Sequence, residues 1–227
     1  YALYPDSAMI DRRNRELPQL TISNCTFLEN GKRTANLAER SAAVRIDPGG
    51  GKSLIVNSLF HSNAGSPVYS KTHDEVVGEN NLAQVPNDVI IVNSTFALNE
   101  GHVNLATPNS EVHNSIIWLD DLANDTTVQL KIDGMQWDKT TNKARIGVAD
   151  RMTHNAVWGC FTDGDDTYKN VHLVTENKNI FEGPYFIDPK IDASTAEQRR
   201  QRDFHLNPGV MMLNGADTTL YRNRVFF

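Results

Sequence analysis

The chain has 227 residues, 39% hydrophobic and 8% aromatic, with a formal net charge of −6. No basic run of the kind that tracks a phosphate backbone occurs, so nucleic acid is not an expected partner, and no apolar stretch approaches the ~18 residues that span a bilayer. Two cysteines, Cys25 and Cys160, are too few for a disulfide framework and leave the redox compartment unread.

Residues 1–19 read as an N-terminal lead-in. The chain begins at Tyr1 with neither Met nor a signal peptide, which reads as a mature or truncated product, such as the C-terminal part of something longer. Asparagine is over-used, with 23 copies. It tolerates left-handed backbone and bonds its own local chain, so tight turns are expected.

From Leu20 an apolar run meets asparagine and a small residue five times. The copies are Ile22-Ser23-Asn24-Cys25-Thr26-Phe27, Val56-Asn57-Ser58-Leu59-Phe60, Val92-Asn93-Ser94-Thr95-Phe96, His113-Asn114-Ser115-Ile116-Ile117 and, more weakly, His154-Asn155-Ala156-Val157-Trp158. The asparagines recur at intervals of 33, 36, 21 and 41 residues, and three copies carry a further asparagine at the same distance: Asn30, Asn63 and Asn99. A motif returning at such a period is the signature of a solenoid. Strands are expected over Leu20–Phe27, Ser53–Phe60, Val89–Phe96 and Glu111–Trp118. A second strand follows each, and alternation with period two puts Val44/Ile46, Val103/Leu105 and Val128/Leu130/Ile132 on one face.

Stacked in parallel about 4.8 Å apart, the copies should place Asn24, Asn57, Asn93, Asn114 and Asn155 in one structural ladder. Phe27, Phe60, Phe96 and Ile117 should stack beneath it. Cys25, at the position of Ser58, Ser94 and Ser115, is expected as a small buried thiol, and His113 and His154 as equivalent. The uneven intervals imply insertions over Lys32–Arg40, His73–Asn87 and Gly134–Ala149, which in a solenoid collect on particular faces and often bind ligands. The repeat pattern decays beyond about residue 160 and fills 20–182. Residues 183–227 read as a C-terminal cap or tail, needed because a last repeat would leave unpaired strand edges. Within it, Ser194–Arg202 reads as a short polar helix with Ser194 as N-cap and Glu197 at the capping-box position.

The Asn-Ser-x-Phe repeats and Asn114-Ser115-Ile116-Ile117-Trp118 resemble right-handed parallel β-helix proteins of the pectin-lyase-like group. Phe186-Ile187-Asp188-Pro189, followed by Asp203 to Gly209, resembles the end of many such proteins from gut and oral Bacteroidetes. After Gly209 the chain departs from that pattern with Val210-Met211-Met212-Leu213-Asn214-Gly215-Ala216. The resemblance covers most of 20–217 and implies an all-β chain, a right-handed parallel β-helix solenoid with a C-terminal cap, secreted or exposed on the outer membrane or cell surface. The group holds polysaccharide lyases, glycoside hydrolases and surface proteins with no known activity, so likeness of fold does not choose among them.

The residues decide little more. Lyases resembling this fold use Ca²⁺ on acidic side chains with an arginine or lysine base. Asp163, Asp165 and Asp166, around Gly164, offer hard oxygen ligands for Ca²⁺, although acidic residues beside glycine are ordinary turn formers. Asp120-Asp121 reads as surface. Asp47, Asp120 and Asp163 are available as the paired carboxylates that glycoside hydrolysis needs, but no motif selects them. There is no nucleophile elbow, phosphate loop or metal-spaced His/Cys set. Trp118, Trp137 and Trp158 are candidate platforms for pyranose rings; for Trp118 and Trp158 the competing expectation is closure of the core near the cap. A non-catalytic secreted or cell-surface module is therefore expected, binding a polysaccharide, a surface glycan or another surface protein. The alternatives are a polysaccharide lyase or glycoside hydrolase acting on an acidic glycan, and a structural stalk.

Overall fold

The structure, a computed structural model, describes residues 18–31, 42–46, 51–70, 87–105, 107, 109–118, 128–132, 137–138, 143–144, 152–158, 160–162, 167–169, 185–190 and 192–207. Each apolar run is cut at its asparagine. Asn24, Asn57, Asn93 and Asn114 take φ of 55°, 50°, 51° and 48°, the left-handed region that asparagine tolerates better than other side chains. The expected run Leu20–Phe27 thus becomes β1 (Pro18–Ser23) and β2 (Thr26–Leu28), and β3 (Val44–Ile46) completes the first repeat. The second holds β4 (Lys52–Val56), β5 (Leu59–His61) and β6 (Val68–Ser70); the third holds β7 (Asp88–Val92), β8 (Thr95–Ala97) and β9 (Val103–Leu105). In the fourth, β10 (Glu111–His113), β11 (Ile116–Trp118) and β12 (Val128–Ile132) are followed by the short antiparallel pair β13 (Trp137–Asp138) and β14 (Lys143–Ala144). The last contains β15 (Met152–Thr153), β16 (Ala156–Trp158) and β17 (Cys160–Thr162), with β18 (Thr167–Lys169) antiparallel to β17.

Like strands of successive repeats pair with each other. Sheet A runs β1-β4-β7-β10-β15, sheet B runs β2-β5-β8-β11-β16, and sheet C runs β3-β6-β9-β12-β17-β18. Every pairing between repeats is parallel. The chain is all-β, built of stacked parallel strands with almost no helix among the described residues, an arrangement compatible with a β-helix.

Inward side chains of the three sheets meet in one core containing Ile55, Ile91, Val112 and Met152 from sheet A and Val44, Ile46, Val103 and Leu105 from sheet C. Sheet B contributes the expected aromatic stack. Phe27 and Phe60 lie 4.5 Å apart at 4°, and Phe60 and Phe96 lie 4.8 Å apart at 15°. Ile117 continues the row in register with Phe96. A buried Phe contributes about 1.5–3 kcal/mol through the water it sheds, so this row is a principal source of cohesion between repeats.

An asparagine ladder forms at the other corner, between sheets B and C. Asn63 Oδ1 accepts from Asn30 N–H at 2.9 Å and from Asn30 Nδ2 at 3.0 Å. Asn63 Nδ2 donates to Asn99 Oδ1 at 2.7 Å and to the Phe27 carbonyl at 3.1 Å, and Asn99 Nδ2 donates to the Phe60 carbonyl at 3.0 Å. Asn63 is wholly buried.

At the corner between sheets A and B the expected ladder of Asn24, Asn57, Asn93, Asn114 and Asn155 shows one side-chain rung, Asn93 Nδ2 to Asn57 Oδ1 at 3.3 Å, and loses Asn155, while a row of small side chains bonds the repeats beneath it. Ser58, Ser94 and Ser115 hydroxyls accept from the backbone N–H of Cys25, Ser58 and Ser94 at 3.3, 3.2 and 3.2 Å. The left-handed bend turns the asparagine outward, leaving Asn24 and Asn57 exposed while the following serines are buried. The fifth copy also sits one residue out of the expected register. Thr153 pairs with His113, so His154 (φ 58°) occupies the bend. Buried Asn155 takes the serine position, accepting from Ser115 N–H at 2.9 Å. His113 and His154 are therefore not equivalent. Cys25 is exposed rather than buried, since among the described residues β2 is the edge strand of sheet B with only β5 beside it.

Residues 185–207 carry β19 (Phe186–Asp188), α1 (Ala196–Arg200) and β20 (Asp203–Leu206), the two strands being antiparallel. Thr195, not Ser194, caps α1, and Gln198 rather than Glu197 closes the box. Gln198 Oε1 accepts from both Ser194 N–H and Thr195 N–H at 3.1 Å, holding two backbone donors with one oxygen. The expected end cap is not shown among the described residues, since neither β19 nor β20 pairs with β15, β16 or β17. The segment instead lies across the outer face of sheet B as a strap. Phe186 meets Trp118 edge-on at 5.3 Å, and Phe204 meets Phe186 at 5.2 Å and His61 at 4.9 Å. Ala97, Ile116 and Leu206 join this second apolar cluster. The outward line of sheet B is apolar at Ala97 and Trp118, and covering it favours the strap over an end position. The Arg199 guanidinium bonds the Glu29 carboxylate, and Arg202 Nη1 donates to Ser62 Oγ. The insertion Lys32–Arg40, residues 73–86 of the second insertion and the Val171–Phe181 region lie outside the described residues.

Candidate ligand cleft

Between the strap and the corner of sheets A and B lies a cleft of about 730 Å³. One wall repeats along the stack: the amides of Asn24, Asn57 and Asn93 with the outward side chains Thr26, Leu59 and Thr95. The other wall is Arg200, Gln201, Arg202, Asp203, Phe204 and His205. Three successive bends set the first wall, so its amides recur at the strand spacing of about 4.8 Å. Asn93 Nδ2 donates to Asn57 Oδ1 at 3.3 Å and Asn24 Nδ2 to Ser23 Oγ at 2.9 Å.

Charge on the strap wall is mixed. Asp203 Oδ1 accepts from the His205 backbone N–H at 2.9 Å and lies 2.6 Å from His205 Nδ1. These bonds from His205 hold the Asp203 carboxyl below its usual range. Arg200 sits 3.9 Å from Glu197 with both side chains exposed, a pairing worth little in water. Asp203 is the one carboxylate among the described residues lining the cleft. The chemistry of the lining is that of many amide and hydroxyl donors and acceptors beside the apolar surfaces of Leu59 and Phe204. That combination suits a polyhydroxylated ligand with polar edges and apolar faces.

No family model, no curated protein and no solved structure matches this chain.

The aromatic candidates fall in different places. Trp118 is only 6% exposed, beneath Phe186. Trp158 is the Cα partner of Trp118 in the next strand of sheet B, and Trp137 sits on β13; both side chains lie outside the described residues. Asp163, Asp165 and Asp166, between β17 and β18, also lie outside them, as do Asp47, Asp120 and Asp121. Among the described residues no group of three His, Cys, Asp or Glu is placed to hold a metal ion. No helix among them is long and apolar enough to cross a membrane.

A second polar cluster lies on sheet A. Buried His113 stands 3.0 Å from Glu111 Oε2 through Nε2 and 2.9 Å from Thr153 Oγ1 through Nδ1. These two contacts satisfy both ring nitrogens and fasten β10 to β15. The strap wall of the cleft was not selected from sequence. The signal available was the alternation Asp203-Phe204-His205-Leu206, which puts the acid and the imidazole on one face of a strand.

Proposed function

We propose that the chain is a right-handed parallel β-helix of the pectin-lyase-like kind, secreted or displayed on a cell surface, that binds carbohydrate without turning it over. The cleft spanning three repeats carries this reading. Parallel pairing of like strands in chain order supports the solenoid, and the resemblance of the tail supports export. A repeating row of amides recognises a repeating polymer, so an extended polysaccharide or surface glycan is the partner. Adhesion to another glycan-bearing surface follows from the same contact. Asp163, Asp165 and Asp166 are the proposed ligands if Ca²⁺ takes part.

The test is a glycan and acidic-polysaccharide array, with and without Ca²⁺, comparing wild type with the double variant Asn57→Gly/Asn93→Gly. Glycine keeps the left-handed bend and removes the amide. Retention weakened about tenfold or more in the variant, with no new ultraviolet absorbance from unsaturated uronate, supports the reading; removing two hydrogen bonds of about 1 kcal/mol each corresponds to that change. Product formation would instead make the chain a lyase or hydrolase. Absence of any retention would leave a structural stalk.

A further inference from the structure

His61 is a titratable side chain buried where the strap meets sheet B. It is 5% exposed and projects from the outer face of β5. Phe204 of β20 lies against its ring at 4.9 Å. Its Nδ1 is 3.1 Å from Ser62 Oγ, the atom that Arg202 holds from the strap. Among the described residues the charged groups acting on it are Arg202 on the strap and Glu29 after β2, with Glu29 tied to Arg199 of α1. On the β8 side the neighbour in register is Ala97, which carries no charge. Asp203 and His205 occupy each other.

A neutral imidazole fits this place, whereas an imidazolium would sit desolvated beside a guanidinium. Burial first, and then Arg202, pull the His61 pKa from 6.5 to about 4, against a smaller opposing effect of Glu29. A second defect lies under the same segment. The Trp118 indole N–H is buried with no hydrogen-bond partner among the described residues. Lifting the strap would return that donor to water, which offsets part of the cost of exposing Phe186 and Phe204.

We infer that residues 185–207 form an acid-released strap: protonation of His61 beneath it drives the segment off sheet B and opens the wall of the ligand cleft. The sign follows from linkage. The released state binds the His61 proton at the ordinary pKa of 6.5 and the closed state only near 4, so acidification from neutral pH favours release. If the strap accounts for the whole difference between 6.5 and 4, the closed-to-released ratio falls up to about 100-fold between pH 7 and pH 4. The device regulates the proposed binding site through the shared wall, but its test reads the strap and not the glycan, so either can fail alone.

The experiment follows solvent exchange of the Trp118 indole N–H by NMR from pH 7 to pH 4, corrected for the intrinsic exchange rate and assigned with Trp118→Phe. Protection is expected to fall up to about 100-fold in the wild type and to stay within about threefold in His61→Gln. Constant protection in the wild type, or an equal fall in both proteins, overturns the inference. Should His61→Gln not fold, the wild type still decides. The logarithm of Trp118 protection must begin to fall as the pH drops below 6.5 and level off near the closed-state value of about 4, and a fall outside that window rejects the switch.

Discussion

Two corners of the repeat are built with the same residue type and have opposite characters. Between sheets B and C, Asn30, Asn63 and Asn99 bond across three repeats, and Asn63 is fully enclosed. Between sheets A and B, Asn24 and Asn57 stand exposed and line a cleft, while serines one position later bond the repeats together. At the B–C corner the left-handed residues are Glu29, Ser62 and Leu98, immediately before each asparagine. Whether asparagine occupies the bend or follows it decides whether its amide faces water or the neighbouring repeat. An inward amide must have all its partners, because buried polar groups left unpaired are costly. An outward amide has only to make the bend and remains available to a ligand.

The sharpest way to break this contrast is Asn63→Ala. It removes the acceptor of the Asn30 N–H and amide and the donor to the Phe27 carbonyl and to Asn99. Several buried groups are orphaned at about 1–3 kcal/mol each, so a loss of about 3–5 kcal/mol is expected in urea unfolding. A loss below about 1 kcal/mol would put the two corners on one footing.

A smaller effect is expected just past the ladder at Gly101, whose N–H donates to the Gly65 carbonyl at 3.2 Å. A Cβ there would lie 2.7 Å from Ser66 N and 2.8 Å from the Gly65 carbonyl carbon, both backbone atoms of the adjoining repeat. Gly101→Ala should therefore destabilise by about 1–3 kcal/mol through forced separation of the repeats. Unchanged stability would mean that the B–C corner tolerates expansion and is not the tight side of the molecule.

The sequence made the stack legible because stacking repeats a residue against itself. Phe27, Phe60, Phe96 and Ile117 could be placed in a row from spacing alone, and alternation placed Val44/Ile46 and Val103/Leu105 inward. The choice between two rows of asparagine was not legible, since it depends on the backbone sign at the preceding residue. The middle strand of each repeat, such as β2 or β5, was hidden inside a continuous apolar run, which carries no mark of a bend except the asparagine itself. In the fifth copy Asn155 lies one position after the bend, so matching asparagine to asparagine shifted the register. The cleft was least legible. Its strap wall is fixed by the Arg199–Glu29 and Arg202–Ser62 contacts, 170 and 140 residues apart in the chain, and no local pattern announces either.

The finest division between the corners comes from paired substitutions at Asn57. If this asparagine serves the bend alone, the backbone conformation and not the amide should govern stability. Alanine at φ 50° carries the left-handed penalty of an ordinary side chain, so Asn57→Ala is expected to lose about 1 kcal/mol. Glycine adopts the same conformation freely and weakens only the amide contact with Asn93, so Asn57→Gly should stay within about 0.5 kcal/mol of wild type. Both variants lack the amide, so their difference reads the bend and the glycine loss by itself reads the amide in urea unfolding. A loss above about 1 kcal/mol in Asn57→Gly would show that the exposed amide holds the repeats together after all. Asn57 would then belong to the same structural class as Asn63, and the amide row along the cleft would be part of the scaffold before it was anything a ligand meets.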